Sequence, residues 1–298
     1  MAGETPRLLR WKLGGALRDL RERSGRTIED VVRELQVRNP MSAAKISRIE
    51  TGKLPVNPRD VSDLCALYGA DEATTVVLLQ QARESRRPAT EDQWWHGYPN
   101  IDDQYNVFIE LESVAARIRT FEAIVLPGLL QTPRYATATS AVDFDPDTVA
   151  ARVQARLRRQ ERLTGPGAVE LVHAVIDENM LHRPIGEPGD GTLLEQLEHL
   201  YTVCAKPNIR LQILARTVGY YPGMYAPAYT LLENDEIQMP KVCYVEGIQG
   251  NPFLEQAVNV EHFESLFNRQ AELALSPDDS RTLIKSLIAR HRSAGDAL

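Results

Sequence analysis

Apolar residues in the first part of the chain recur at helical spacing in short blocks. Leu13, Ala16, Leu17 and Leu20 lie three and four apart and predict a helix over residues 11–23 with one buried face. After Ser24-Gly25 the pattern resumes with Ile28, Val31, Val32 and Leu35, behind Thr27, whose hydroxyl suits an N-cap. Ile46 and Ile49 mark a narrower stripe on a third helix, opened by Ser42 and stopped at Gly52, where a left-handed residue fits. Asn57-Pro58 opens a fourth helix with Val61, Leu64, Leu67 and Tyr68 inward and Gly69 at its end. Asp71 opens a fifth, to about residue 86, with Val76, Leu79 and Ala82 inward. Five short helices, the second and third joined by a turn, predict an all-α helix-turn-helix head over residues 1–87.

The pattern then changes. Residues 88–104 are rich in proline, glycine and polar residues and read as a linker, interrupted by Trp94-Trp95. These tryptophans either pack on the following domain or face a ligand. Beyond them a helix is expected over residues 107–118, then an extended run over 118–125 broken by Pro127-Gly128. Thr132 caps the next helix, with Pro133 at its first position. Residues 147–163 form a long helix carrying Val149, Val153 and Leu157 on one stripe, together with Arg152, Arg156, Arg158, Arg159 and Arg162. Intramolecular pairing with the acidic remainder accounts for these arginines better than a second nucleic-acid site. Strands are expected at 169–176, 209–214, 229–233 and 242–246, with an amphipathic helix at 193–204 between the first two. Residues 252–275 read as mainly helical, and Ser276 caps a final helix ending near His291. The whole predicts a multidomain chain: the helical head, then an α+β domain with a small sheet over residues 105–298.

Composition adds little until it is divided. The chain has 298 residues, 43% hydrophobic and 25% charged, ordinary for a soluble globular protein. No apolar run reaches membrane-spanning length and no apolar signal region opens the chain, so a cytoplasmic location without membrane contact is expected. Cys65, Cys204 and Cys243 are too scattered for a disulfide framework or a metal set. The net charge of −7 argues against a nucleic-acid partner, but its distribution reverses the inference. Residues 1–87 carry 16 Lys/Arg against 12 Asp/Glu, a net of +4; the remainder carries 18 against 29, a net of −11. A basic module on an acidic body suits phosphate neutralisation by the head.

That field draws attention to residues 42–53. Away from Ile46 and Ile49 the third helix presents Ala44, Arg48 and Thr51, flanked by Ala43, Lys45 and Ser47. A helix with small residues and cations outward fits a major groove, where an arginine pairs with a guanine edge. For Arg48 the alternatives are a phosphate contact or an ion pair within the domain.

Thr27 to Lys53, and above all Ile46-Ser-Arg-Ile-Glu-Thr-Gly-Lys, resembles the Xre-type, lambda-repressor/Cro-like helix-turn-helix. The resemblance implies double-stranded DNA as partner and a homodimer on an inverted repeat. It implies that Thr27 lies near a phosphate and that Ser42 caps the recognition helix. Ala43, Ala44 and Arg48 then face bases, Lys45 and Ser47 flank them, and Lys53 begins a loop along the backbone. It further implies that Glu50 is structural, paired with a basic residue inside the domain. Two departures stand out. Ile28 occupies a position where many relatives carry a phosphate-contacting Gln, and residues 36–41, with Asn39-Pro40, exceed the usual turn by about four residues. Either the second helix is extended, or the two helices meet at an altered angle.

The body carries a resemblance of its own. Ile118-Arg-Thr-Phe-Glu, Leu126-Pro-Gly-Leu-Leu-Gln-Thr-Pro-Arg-Tyr-Ala, Val175-Ile-Asp-Glu-Asn-Met-Leu and Leu275-Ser-Pro-Asp-Asp-Ser-Arg resemble a domain of the WhiJ-like, antitoxin-like regulators of high-GC Gram-positive bacteria. It implies a regulator paired with a small partner protein encoded nearby, and no known ligand. The expectation is control of the head through such a small cognate protein or a small-molecule effector, or else an antitoxin-like protein that neutralises a small partner and regulates its own operon.

No catalytic set is legible, and neither a metal nor another cofactor is expected, so the chain does not read as an enzyme. Asp177-Glu178, near His173 and His182, has the look of an acid/base pair, but helix capping by Asp177 explains it better. The loop Gly219-Tyr-Tyr-Pro-Gly-Met-Tyr offers Tyr220, Tyr221, Met224 and Tyr225 either to a ligand or partner, or to packing on the sheet.

Overall fold

The structure, a computed structural model, describes residues 6–86, 103–165, 167–187, 189–237, 239–247 and 252–295. The chain divides into two compact units, one helical and one built around a sheet.

The helical unit holds α1 (Pro6–Arg23), α2 (Ile28–Leu35), α3 (Ala43–Glu50), α4 (Pro58–Tyr68) and α5 (Glu72–Glu84). Its helices start where side chains satisfy the unpaired N–H groups of a first turn. Thr27 and Asp30 form a capping box at α2, each side chain accepting from the other's backbone N–H. Ser42 Oγ accepts from Lys45 N–H at α3, Asn57 Oδ1 from Arg59 N–H at α4, and Asp71 Oδ1 from Thr74 N–H at α5. Leu13, Leu17, Val31, Ile46, Ile49 and Leu64 meet in one core. α1 begins earlier than its periodicity predicts, and Leu8, Leu9 and Trp11 are buried as well. On α5 Leu79 and Ala82 pack on the core as expected and Leu78 joins them, while Val76 is exposed.

α1 and α3 pack at backbone distance. A Cβ on Gly14 would lie 2.4 Å from the carbonyl oxygen of Ile49, so only glycine permits the approach. The same two helices are clasped by Arg21 and Glu50: Nε donates to Oε1 at 2.7 Å and a terminal nitrogen to Oε2 at 2.9 Å. The remaining guanidinium nitrogen donates to Arg26 O at 2.9 Å, leaving little of this buried charge unsatisfied.

α2 ends at Leu35, so the added residues extend the turn rather than the helix. Asn39 N–H returns to Leu35 O at 2.9 Å, while its amide nitrogen donates to Asp60 (2.8 Å) and Asp63 (3.0 Å) of α4. Met41 is buried in the core. The insertion is thus built into the unit.

The second unit contains α6 (Asp103–Val114), β1 (Arg117–Glu122), α7 (Pro133–Ser140), α8 (Pro146–Gln160), β2 (Leu171–Asp177), α9 (Thr192–Val203), β3 (Ile209–Leu214), β4 (Tyr229–Asn234), β5 (Met239–Val245), β6 (Phe253–Leu254), α10 (Ala257–Leu273) and α11 (Pro277–Gly295). The strands form one mixed sheet in the order β3-β2-β1-β4-β5-β6. β1, β2 and β3 are parallel, joined by the helical crossovers such pairs require, and β4 runs antiparallel to β1. The sheet is larger than expected because the run at 118–125 supplies β1, and β6 falls where a helix was expected to begin.

Alternation along the strands gives the sheet two faces. Phe121, Val175, Leu231 and Cys243 pack with Val260 and Phe267 of α10. Ile118, Thr120 and Glu122 alternate with Phe121 and line a cavity on the opposite face, together with side chains of α6 and α8.

Candidate functional site

On α3, Ala43, Ala44, Ser47 and Arg48 are exposed above the buried Ile46 and Ile49. Arg48 forms no ion pair among the described residues. Its carbonyl receives Lys53 N–H (2.9 Å) and Leu54 N–H (3.2 Å), and Gly52, at φ +66°, turns the chain out of the helix. Lys53 follows, exposed and likewise unpaired. Thr27 lies exposed at the start of α2, and the Ser42 hydroxyl oxygen is engaged by its cap. Lys45 is different: its Nζ lies 2.8 Å from Asp60 Oδ2, so this cation is held within the unit. Glu50 has the structural role that the resemblance implies. Its hydrogen bonds raise the Arg21 pKa further, so the clasp stays charged.

The sequence reading passed over Arg59. It stands in the first turn of α4, exposed and without an ion pair, beside the Asp60 that holds Lys45. Its signal was its place directly after the Asn57-Pro58 helix start. Arg38, in the inserted turn, is paired with Asp63 at 3.1 Å.

In the sheet unit the aromatic loop divides. Tyr220 and Tyr225 are 74% and 85% exposed and line a groove of about 550 Å³ with His262, Phe263 and Leu266. Tyr221 is a core residue: its hydroxyl donates to Asp177 Oδ2 at 2.7 Å, its ring meets Phe121 edge-on, and burial pushes its pKa up. Met224 is exposed but does not line the groove. Trp94 and Trp95, with the linker reading, fall outside the described residues apart from the first two residues of α6.

Asp177 and Glu178 are both committed. Asp177 caps the turn Glu178–Leu181 through Asn179 N–H at 2.7 Å and accepts from Tyr221. Burial works to raise the Glu178 pKa, but Arg216 N–H, His182 and the Arg216 guanidinium hold it below its usual value. Among the described residues no group of His, Cys, Asp and Glu is placed to hold a metal ion, and no helix is long and apolar enough to cross a membrane.

The cavity behind β1, about 1030 Å³, was not foreseen. Arg152, Arg156 and Arg159 reach it from α8, at the i, i+4, i+7 spacing that puts them on one face. Arg159 is bound bidentately by Glu112 of α6, at 2.6 and 2.7 Å. The helical spacing of these arginines was the available signal, and pairing explains only one of the three.

The head is a helix-turn-helix domain by family as well as by geometry: the family model described as "Helix-turn-helix domain" matches residues 12–78. The chain therefore carries a DNA-binding module of the kind found in transcriptional regulators. Residues 105–286 match the family described as "Domain of unknown function (DUF5753)". That match covers more than half of the chain, which belongs to this family. No curated protein and no solved structure matches the chain.

Proposed function

We propose that the protein is a sequence-specific transcriptional regulator, a repressor that binds an inverted repeat as a homodimer. The second unit controls it through a small partner protein or a metabolite. The exposed face of α3 carries this reading: an unpaired Arg48 beside Ala44 and Ser47, on a helix clasped from below by Arg21 and Glu50. Arg48 reads a guanine edge, the alanines contact apolar base edges, and Thr27, Lys53 and Arg59 contact phosphates. In a dimer the two α3 helices enter successive major grooves about one helical turn apart. The Xre-type resemblance of residues 27–53 supports the same reading, and the committed state of Asp177 and Glu178 favours a binding protein over an enzyme.

Selection of DNA from a random pool by the full-length protein, followed by footprinting, tests this. The expected product is a two-fold symmetric site. Arg48→Ala loses specific binding by about tenfold or more while the fold persists. An unselected pool, or an unchanged Arg48→Ala footprint, overturns the assignment.

The exposed Tyr220 and Tyr225 beside the shallow groove favour a second reading, the antitoxin-like protein that neutralises a small cognate partner. A chain with Tyr220 and Tyr225 replaced by serine separates the two: neutralisation fails with operator binding intact if the second reading holds.

A further inference from the structure

The cavity behind β1 is polarised. At one end stand Glu122, with the Thr120 hydroxyl beside it, Gln131 and Glu246. Glu122, at the carboxyl end of β1, faces the cavity with no basic partner. Gln131 is 2% exposed; its amide nitrogen donates to Leu126 O at 2.7 Å, but its Oε1 has no hydrogen-bond partner. Glu246 lines the same cavity without an ion pair, and its charge acts both on Glu122 and, across the cavity, on Arg159, Arg156 and Arg152. Two carboxyls facing a cavity, with no cation bonded to either, make an end that lacks positive charge.

The other end has the opposite character. Arg156 is sunk into the wall, donating to Ser140 Oγ (2.8 Å) and Ala136 O (3.4 Å), with no carboxylate against it. Burial lowers its pKa, helped by the Arg159 and Arg152 charges and opposed by that of Glu246, which forms no ion pair with it. Arg152 lies over the rings of Phe144 and Tyr105, with its carbon 4.2 and 5.6 Å from their centroids, also without a carboxylate. Leu126, Leu129 and Phe108 supply apolar wall. The volume is suited to a metabolite-sized ligand.

We propose that this cavity binds a zwitterionic small molecule of amino-acid or amino-acyl type. Its protonated amine lodges against Glu122 and Glu246, its acidic group against Arg152 and Arg156, and an apolar segment joins the two. Such a ligand satisfies both ends at once, whereas a simple anion leaves the Glu122 end unmet and a simple amine leaves the arginines unmet. That occupancy alters operator binding rests on the regulator reading above; that the cavity takes this chemistry does not.

Calorimetric titration of the full-length protein without DNA tests the site, using terminally aminated hexanoate, octanoate and dodecanoate as probes, with octylamine and octanoate as single-ended controls. At least one amino acid of the series is expected to bind about tenfold more tightly than either control. Glu122→Gln weakens the amino acids and octylamine by about tenfold and spares octanoate; Arg156→Gln weakens the amino acids and octanoate and spares octylamine. Glu246→Gln, at the exposed rim, reads the amine end if Glu122→Gln does not fold. The proposal is overturned if no amino acid binds, if octanoate or octylamine alone matches the series, or if folded Glu122→Gln or Glu246→Gln and Arg156→Gln leave the titrations unchanged. Repeating the operator measurement with the bound probe tests the coupling separately, so a failed DNA assignment leaves the titration result standing.

Discussion

Arg21–Glu50 and Arg159–Glu112 are the same chemical object in two settings. Each is a buried bidentate pair joining two helices, α1 to α3 in one unit and α8 to α6 in the other. In the helical unit the pair is internal, and the cations left over, Arg48, Lys53 and Arg59, stand in solvent. In the sheet unit the pair belongs to a cavity wall, and the arginines left over, Arg152 and Arg156, line that cavity. Exposed guanidinium groups are screened and mobile, suited to a polyanion that arrives with its own field. Guanidinium groups in a cleft are already partly desolvated and positioned, suited to a compact ligand.

The sharpest way to break the comparison is to remove one partner from each pair. Arg21→Ala leaves Glu50 buried without a counter-charge, and Glu112→Ala does the same to Arg159; each is expected to cost about 3–5 kcal/mol of its unit's stability, read by denaturant unfolding. A cost near zero for either would mean that its pair is not the clasp its geometry indicates. Gly14→Ala comes next. With a Cβ meeting the Ile49 carbonyl, α1 and α3 must separate, at about 1–3 kcal/mol, visible in the same unfolding curves.

Glu122→Gln is expected to act with the opposite sign. Burial, then the Glu246 charge, holds this carboxyl well above its ordinary pKa, against which the Thr120 hydrogen bond works only weakly. The folded chain therefore keeps a proton that the unfolded chain releases, and stability falls as pH rises from the ordinary carboxylate range through the folded pKa. Glutamine removes that loss, so the variant's Tm should exceed the parent's by about 2 °C or more at pH 8 and by less at pH 5, by calorimetry. A stabilised variant that no longer binds an amine would be a site residue kept at a cost to the fold. The smallest effect on stability is Arg48→Ala, within about 0.5 kcal/mol, since the side chain is exposed and unpaired. A larger loss would assign Arg48 to the fold rather than to an outward role.

The helical unit was largely legible in the sequence because its signals are local. Thr27, Ser42, Asn57 and Asp71 cap the helices they precede, and the stripes at Leu13–Leu17 and Ile46–Ile49 are buried as spaced. On α5 Leu79 and Ala82 were read correctly but Val76 was not, because Val76, Val77, Leu78 and Leu79 are consecutive apolar residues and periodicity alone does not choose among them. The chemistry of the sheet unit was not legible. Glu122 and Arg156 meet one cavity only because the fold brings β1 and α8 to its walls, and no spacing along the chain encodes that. The tyrosines were half readable: the loop was evident, but which ring turns inward was decided by Asp177, which binds Tyr221 and not Tyr220. Lys45 was misweighted for the same reason, since its partner Asp60 is on another helix.

The inserted turn has a consequence for how the head can change. α3 is braced at its entry by Asn39 and Lys45, both bonded to α4, and at its exit by Glu50, bonded to α1. None of these braces uses Ala43, Ala44, Ser47 or Arg48. The outer face is thus uncoupled from the forces that hold the helix in place, and substitutions there add independently of the core. A lineage carrying this scaffold is free to change the chemistry of that outer face through those four positions while the fold stays as it is.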